Sequence, residues 1–276
     1  MNRNRRTVPS VFRIAVKQLK LLFCKVDFWV VIITLAAFLS IQIGSSERSL
    51  AAAGDTIGIF AVFPLLLQDS DPLYLTMIGY LLIISDIPHM HTGIEQQILR
   101  TNRAVWFLSQ WLYTVLLTLV YYLLMNIACI CFFLPQVSLT VDWGSGIYNG
   151  TAGGNHMMSI GRGFLGESAW QEWIAISLLV FLVSLLLAGI CLICNMYLSH
   201  QGVGVLVDAI LMFLLLLYET GTGSFGLLSP LELLARFSGD IGAELPDIAG
   251  YYIVICAVLF AVGYRNISRA EIRVRE

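Results

Sequence analysis

Residues 56–88 read TIGIFAVFPLLLQDSDPLYLTMIGYLLIISDIP, and the number of membrane crossings in this stretch decides the fold. Two crossings would leave seven spans and put the chain ends on opposite sides. One crossing, Leu73 to Ile87, leaves six and returns both ends to the same side. A helix needs about 20 apolar residues to cross a hydrocarbon core of roughly 30 Å, fewer where flanking groups snorkel. Gln68-Asp69-Ser70-Asp71-Pro72 breaks the apolar run, so a single crossing is expected, with Ile57 to Leu67 as an outer interfacial or re-entrant helix. Five other segments meet or approach the required length: Phe28 to Ile43, Val105 to Leu134, Trp173 to Leu198, Val203 to Tyr218 and Ile248 to Tyr264.

Charge placement supports six. Of sixteen Lys and Arg, seven precede residue 26, Arg100 and Arg103 flank Thr101-Asn102, and four fall in the last twelve residues. Six spans put all thirteen on one side, and cationic segments stay cytoplasmic during insertion. Only Arg48, Arg162 and Arg236 lie elsewhere. The composition, 58% apolar and 12% charged, is far from the roughly 25% charged residues of soluble domains. An all-α integral membrane protein is expected, as one domain over 1–276: a cytoplasmic amphipathic segment 1–26, a six-span bundle 27–264 and a cytoplasmic tail 265–276. The net charge of −2 gives no reason to invoke nucleic acid.

Cys24, Cys129, Cys131, Cys191, Cys194 and Cys256 all fall in or beside spans. They read as small packing residues, including the C-x-x-C at 191 and 194, and not as a secreted disulfide framework. The basic start runs into a segment long enough to span, so no cleavable signal peptide is expected. Trp29, Trp106, Trp111, Trp170 and Trp173 fall near span ends, where an amphipathic ring favours the headgroup zone, whereas Trp143 lies in a loop interior. The outer loops Pro135 to Glu172 and Glu219 to Asp247 are long, and Leu231 to Phe237 reads as a short helix dipping back toward the membrane.

Val11 to Lys25 has helical periodicity. Arg13, Lys17 and Lys20 cluster on one arc, opposite Val11, Phe12, Ala15, Val16, Leu19, Leu22 and Phe23. This predicts an amphipathic helix in the inner interface, its cationic face toward lipid phosphates and cytoplasm.

Several motif matches carry no chemistry. Gly161 to Gly166 fits G-x-G-x-x-G but follows no strand and opens no βαβ unit. No G-x-x-x-x-G-K-[ST] occurs, so the chain lacks a P-loop for ATP. His89, His91, His156 and His200 make no metal-ligand set, and Asn149-Gly150-Thr151 is a glycosylation sequon only in a eukaryotic secretory setting. Asp86, Asp208 and Glu219 are acids near span ends, and Asn126 and Asn195 sit deeper, placed to bond between helices.

The richest constellation is the inner loop Asp86 to Trp111, DIPHMHTGIEQQILRTNRAVWFLSQW. Pro88 ends the second span and Thr92-Gly93 breaks the chain. Ile94 to Arg100 then forms a short helix with Ile94, Ile98 and Leu99 on one side and Glu95, Gln96 and Arg100 on the other. Apolar knobs with charged edges read as a docking element for a cytoplasmic partner.

This loop resembles the signature segment of type-2 ABC exporter permeases, in Gly93-Ile94-Glu95, the Ile98-Leu99 pair, Arg100 with Arg103, and Trp106 opening the third span. Gln110 stands where many members carry Lys. The resemblance extends to the order of elements: amphipathic helix, six spans, both termini inside, and outer helices between spans five and six, here Leu227 to Phe237. It implies a non-enzymatic permease in a bacterial plasma membrane, working with a second identical or paralogous permease. Gly93, Ile94, Glu95, Gln96, Ile98, Leu99, Arg100 and Arg103 would couple to a separate ATPase subunit holding ATP and Mg, with the Val11 to Lys25 helix beside them. The cargo implied is hydrophobic or amphipathic, a peptide or lipid. The rival readings are a proton-driven secondary transporter relying on Asp86 or Asp208, and a non-pumping immunity protein that binds peptide through the 135–172 loop.

Overall fold

The apolar runs form long helices in the computed structural model, which describes residues 7–67, 70–85, 87–88, 102–150, 168–198, 202–221 and 241–267. In chain order these are α1 (Thr7–Phe23), α2 (Val26–Ala53), β1 (Ile57–Gly58), α3 (Val62–Leu67), α4 (Ser70–Ile84), α5 (Arg103–Phe132), β2 (Val137–Ser138), α6 (Ser145–Tyr148), α7 (Ala169–Leu198), α8 (Val203–Gly221) and α9 (Ile241–Ile267). Helices α2, α5, α7 and α9 are long and apolar enough to cross a membrane, while α4 and α8 are shorter apolar helices. The described residues are therefore predominantly helical, with four helices that suit a membrane-embedded protein.

Hydrophobicity marks less of α2, α7, α8 and α9 than actually forms, whereas α4 and α5 start and end two or three residues earlier than the expected spans. The first span, expected to stop at Ile43, continues as α2 to Ala53, 28 residues in all. At 1.5 Å per residue that is about 42 Å, well beyond a core of roughly 30 Å. Apart from Gly44, nothing in the stretch up to Ala53 opposes helix strongly, and its polarity is tolerated by water. The helix stops where Gly54 takes φ 70° and its N–H reaches the carbonyls of Leu50 and Ala51.

Ile57 to Leu67 requires a correction. Its first part is a strand, β1, paired in parallel with β2, Ile57 opposite Val137 and Gly58 opposite Ser138. Only Val62 to Leu67 is helical, and every one of those residues is buried. Pro64 fits because its missing N–H falls in the first turn, where the N–H groups have no partner within the helix. Thus α3 packs among α4, α5 and α7, which corrects the interfacial alternative and not the re-entrant one.

Helix direction alternates. β1 follows α2 and β2 follows α5, so both helices finish at one end, the strand end. The Trp173 indole N–H donates to Asn126 Oδ1 at 2.8 Å, so α7 starts at that end. At the opposite end the Gly204 N–H donates to Asn195 Oδ1 at 2.7 Å, and Asn195 Nδ2 donates to the Ile87 carbonyl. There α4 and α7 finish and α8 starts. Gly263 of α9 abuts the Phe107 ring of α5 at the same end. Lys25, Arg103 and Arg265 belong to this end, and α1 joins it through Cys24. Among the described basic residues, Arg48 alone belongs to the strand end.

The tryptophans divide in a way their sequence positions did not reveal. Trp29 and Trp170 are well exposed, as expected for a headgroup position, but Trp106 and Trp111 are buried in the bundle. Trp143, expected in a loop interior, is fully packed beneath the strand end.

Candidate functional site at the basic end

Gly93, Ile94, Glu95, Gln96, Ile98, Leu99 and Arg100 lie outside the described residues, as do Asp86, His89, His91, Gly161 to Gly166 and Leu227 to Phe237. Of the expected coupling residues the structure places Arg103, exposed at the first position of α5. Asn102 caps that helix, its Oδ1 accepting from the Ala104 N–H at 3.4 Å. The chain leaves α4 through Ile87, which is buried and whose N–H donates to the Ile84 carbonyl at 2.9 Å. Both entrances to the loop are therefore tied to the bundle.

Asn195 organises the neighbourhood. Its amide bridges the Ile87 carbonyl after α4 and the Gly204 N–H in α8, as expected for a polar group buried between helices. Beside it, the Cys191 thiol points at the Ile84 carbonyl, 3.7 Å away. This thiol is a packing group with a weak hydrogen bond, and all six cysteines are free.

Asp208, one turn beyond Gly204, is fully buried, and neither carboxyl oxygen has a hydrogen-bond partner among the described residues. Leaving a buried polar group unbonded costs about 1–3 kcal/mol. Asp208→Asn should therefore leave the thermal unfolding midpoint in detergent unchanged or raise it. A drop of several degrees would show that the carboxylate has a partner. Glu219 lies in the last turn of α8, at the far end of that helix from Asp208, so the two acids do not converge.

A second feature was only partly legible. Gln110, Thr114, Thr118, Tyr122 and Asn126 recur every four residues along α5, and all are buried. Their 16-residue extent corresponds to about 24 Å, most of a membrane core. Thr114 and Thr118 satisfy themselves on the carbonyls of Gln110 and Thr114, at 2.9 and 2.8 Å. Outward bonds tie the ladder to its neighbours. Tyr80 of α4 meets the Thr118 hydroxyl at 2.6 Å, Tyr122 meets Ser184 of α7, and Asn126 receives Trp173. Tyr121, beside the ladder, donates to the Thr76 carbonyl. At about 0.6 kcal/mol for each such bond between membrane helices, the four contribute roughly 2–3 kcal/mol, enough to matter against marginal stability. The signal was the four-residue polar spacing within an apolar run, of which sequence reading used only Asn126.

The arrangement fastens α4, α5 and α7 into one body whose basic end carries both entrances to residues 89–101. Among the described residues there is no group of three His, Cys, Asp or Glu side chains able to hold a metal. Comparison with protein-family models, with curated proteins and with solved structures gave no match to this chain.

Proposed function

We propose that this chain is the membrane-spanning half of an ATP-driven exporter of the type-2 ABC class, crossing a bacterial plasma membrane six times with both ends in the cytoplasm. It works as a dimer with an identical or paralogous permease, on separate ATPase subunits that carry ATP and Mg. The observation that carries this reading is that both ends of the Gly93-Ile94-Glu95 loop emerge at the same basic end of the bundle, beside Lys25, Arg103 and Arg265. That end is cytoplasmic by the rule that positive segments stay inside. The shorter α4 and α8, 15 and 19 residues, complete the six spans by local thinning of the bilayer and by snorkelling of flanking groups.

In this reading the peptide from Ile94 to Leu99 sits in a groove on the ATPase. Closure of the ATPase pair pushes it, and the push enters the bundle at two points, Ile87 through Asn195 and Asn102 through the start of α5. Because α4, α5 and α7 are cross-bonded, they tilt as a rigid body. Chemistry belongs to the partner; this chain transmits force and shapes a path for hydrophobic or amphipathic cargo.

The test is purification of the full chain from its host. A stoichiometric ATPase is expected to co-purify, and Glu95→Arg or Leu99→Asp should cut ATPase association at least tenfold while membrane insertion stays intact. Unchanged association in both variants would remove the docking role. A proton-driven transporter is the second reading, favoured by the unbonded carboxyl of Asp208. It requires pH-dependent flux in vesicles without ATP, abolished by Asp208→Asn.

A further inference from the structure

We propose that α1 carries a binding strip for anionic lipid headgroups of the leaflet at the basic end, formed by Arg13, Lys17 and Lys20. The helix divides into three faces. Ile14, Ala15, Gln18 and Leu22 are buried, and α1 packs mainly on α5. Phe12 is 57% exposed, and with the half-buried Val16, Leu19 and Phe23 it forms an apolar strip beside that buried face. Arg13, Lys17 and Lys20 form a third, exposed face, and α1 contains no acidic residue.

The row of cations fixes how the helix meets a membrane. It runs parallel to the helix axis over seven residues, about 10 Å. Standing upright in a bilayer, such a row would carry at least one charge into hydrocarbon, at a cost of about 2.5–3.5 kcal/mol near the centre. Lying in the headgroup plane, all three charges stay hydrated while Phe12, Val16, Leu19 and Phe23 reach toward acyl chains. The junction with α2 suits that depth: Trp29 donates its indole N–H to the Phe23 carbonyl at 2.8 Å and packs against the Phe23 and Phe28 rings. An aromatic cluster with a polar edge belongs in the headgroup zone. Three exposed cations on a helix that carries no acid of its own then complement phosphatidylglycerol and similar lipids over zwitterionic ones.

The full-length protein in phosphatidylcholine vesicles, with spin-labelled phosphatidylglycerol or phosphatidylcholine as probe, tests this through the fraction of probe immobilised at the protein. Each cation near an anionic headgroup contributes about fivefold, so on the order of a hundredfold in affinity is expected for the strip. The wild type should immobilise phosphatidylglycerol in preference. High salt should reduce the preference. Arg13→Gln/Lys17→Gln/Lys20→Gln should abolish it, and Arg13→Lys/Lys17→Arg/Lys20→Arg should preserve it. If the triple neutral variant does not fold, the single variants should each show a loss of about fivefold. Equal preference in wild type and neutral variants overturns the proposal. So does loss of ATPase co-purification with lipid preference unchanged, which would assign the row to a protein partner. Lipid preference is read without any ATPase, so its failure leaves the pump reading standing, and the reverse holds.

Discussion

Trp143→Ala is expected to destabilise the protein by about 3–5 kcal/mol, the range for emptying a large aromatic site in a core, and to open the strand end. Trp143 is 1% exposed although its flanks, Val141 and Asp142, are exposed. Its carbonyl accepts from the Gly58 N–H at 2.9 Å, so the ring is anchored at the point where the segment after β2 crosses β1. Gly144 follows with φ 92°, and a Cβ there would stand 2.6 Å from the Thr56 carbonyl oxygen, so only glycine fits the crossing. Around it, the Gly146 N–H donates to the Thr56 carbonyl at 2.9 Å, the Thr56 N–H to Ser145 Oγ at 3.0 Å, and Asn149 Nδ2 to Asp55 Oδ1 at 3.0 Å. The Ser145 and Asn149 contacts lie at exposed positions, so the buried indole is the main apolar anchor of the crossing. Its loss should appear as a lower unfolding midpoint in detergent and as protease cleavage between residues 133 and 150. Leu139→Ala, at an 87% exposed site two residues from β2's start, should change stability by less than about 0.5 kcal/mol. Equal effects from the two substitutions would mean that the strand end is not packed around Trp143.

How much of this was legible in the sequence depends on which force sets each feature. Apolar runs located every long helix, because burial away from water is a property of composition. They misjudged helix ends, because the more polar stretch Gly44 to Ala53 continues α2, with Ser46 and Leu50 buried, and stops only at Gly54. They also misread Ile57 and Gly58, whose strand pairing depends on residues 137 and 138, some eighty positions away. The same non-locality hid Trp143: a tryptophan in a Gly-rich loop looks exposed until the segment opposite it is known. Trp106 and Trp111 were placed at the right ends of spans but on the wrong face, since position along a helix sets depth whereas packing partners set facing. The roles of Asn126 and Asn195 were readable, because an amide in hydrocarbon must find a partner. On α1 the cations were readable, but the division of its apolar arc between protein and outside was not, since Phe12 and Ala15 are equally apolar and only α5 distinguishes them.

Gly204→Val is expected to be the most damaging single substitution at the basic end. The backbones of α7 and α8 meet there: a Cβ on Gly204 would lie 2.5 Å from the Cys191 carbonyl oxygen and 2.7 Å from its Cα. Both are main-chain atoms of a helix interior, so no rotamer change relieves the clash and the two helices must separate. Overpacking where side chains yield costs about 1–3 kcal/mol, and a backbone clash belongs at or above the top of that range. Separation also breaks the 2.7 Å bond from the Gly204 N–H to Asn195, leaving that amide buried with one bond fewer. Since the same Asn195 holds the Ile87 carbonyl, the damage passes to the chain entering the 89–101 loop. Gly204→Val should therefore lower the unfolding midpoint and, if the chain is the exporter half proposed above, ATPase co-purification as well. Asn195→Leu, which removes the bonds without forcing the helices apart, should impair co-purification with a smaller loss of stability. Gly44→Ala makes the informative contrast, because nothing outside its own stretch of helix lies within 4 Å of its would-be Cβ, and alanine in a helix interior should gain about 0.5–1 kcal/mol. If Gly204→Val folds and couples as well as Gly44→Ala, the close approach of α7 and α8 is not part of the native packing. The route from the loop through Asn195 into the bundle would then have no physical basis.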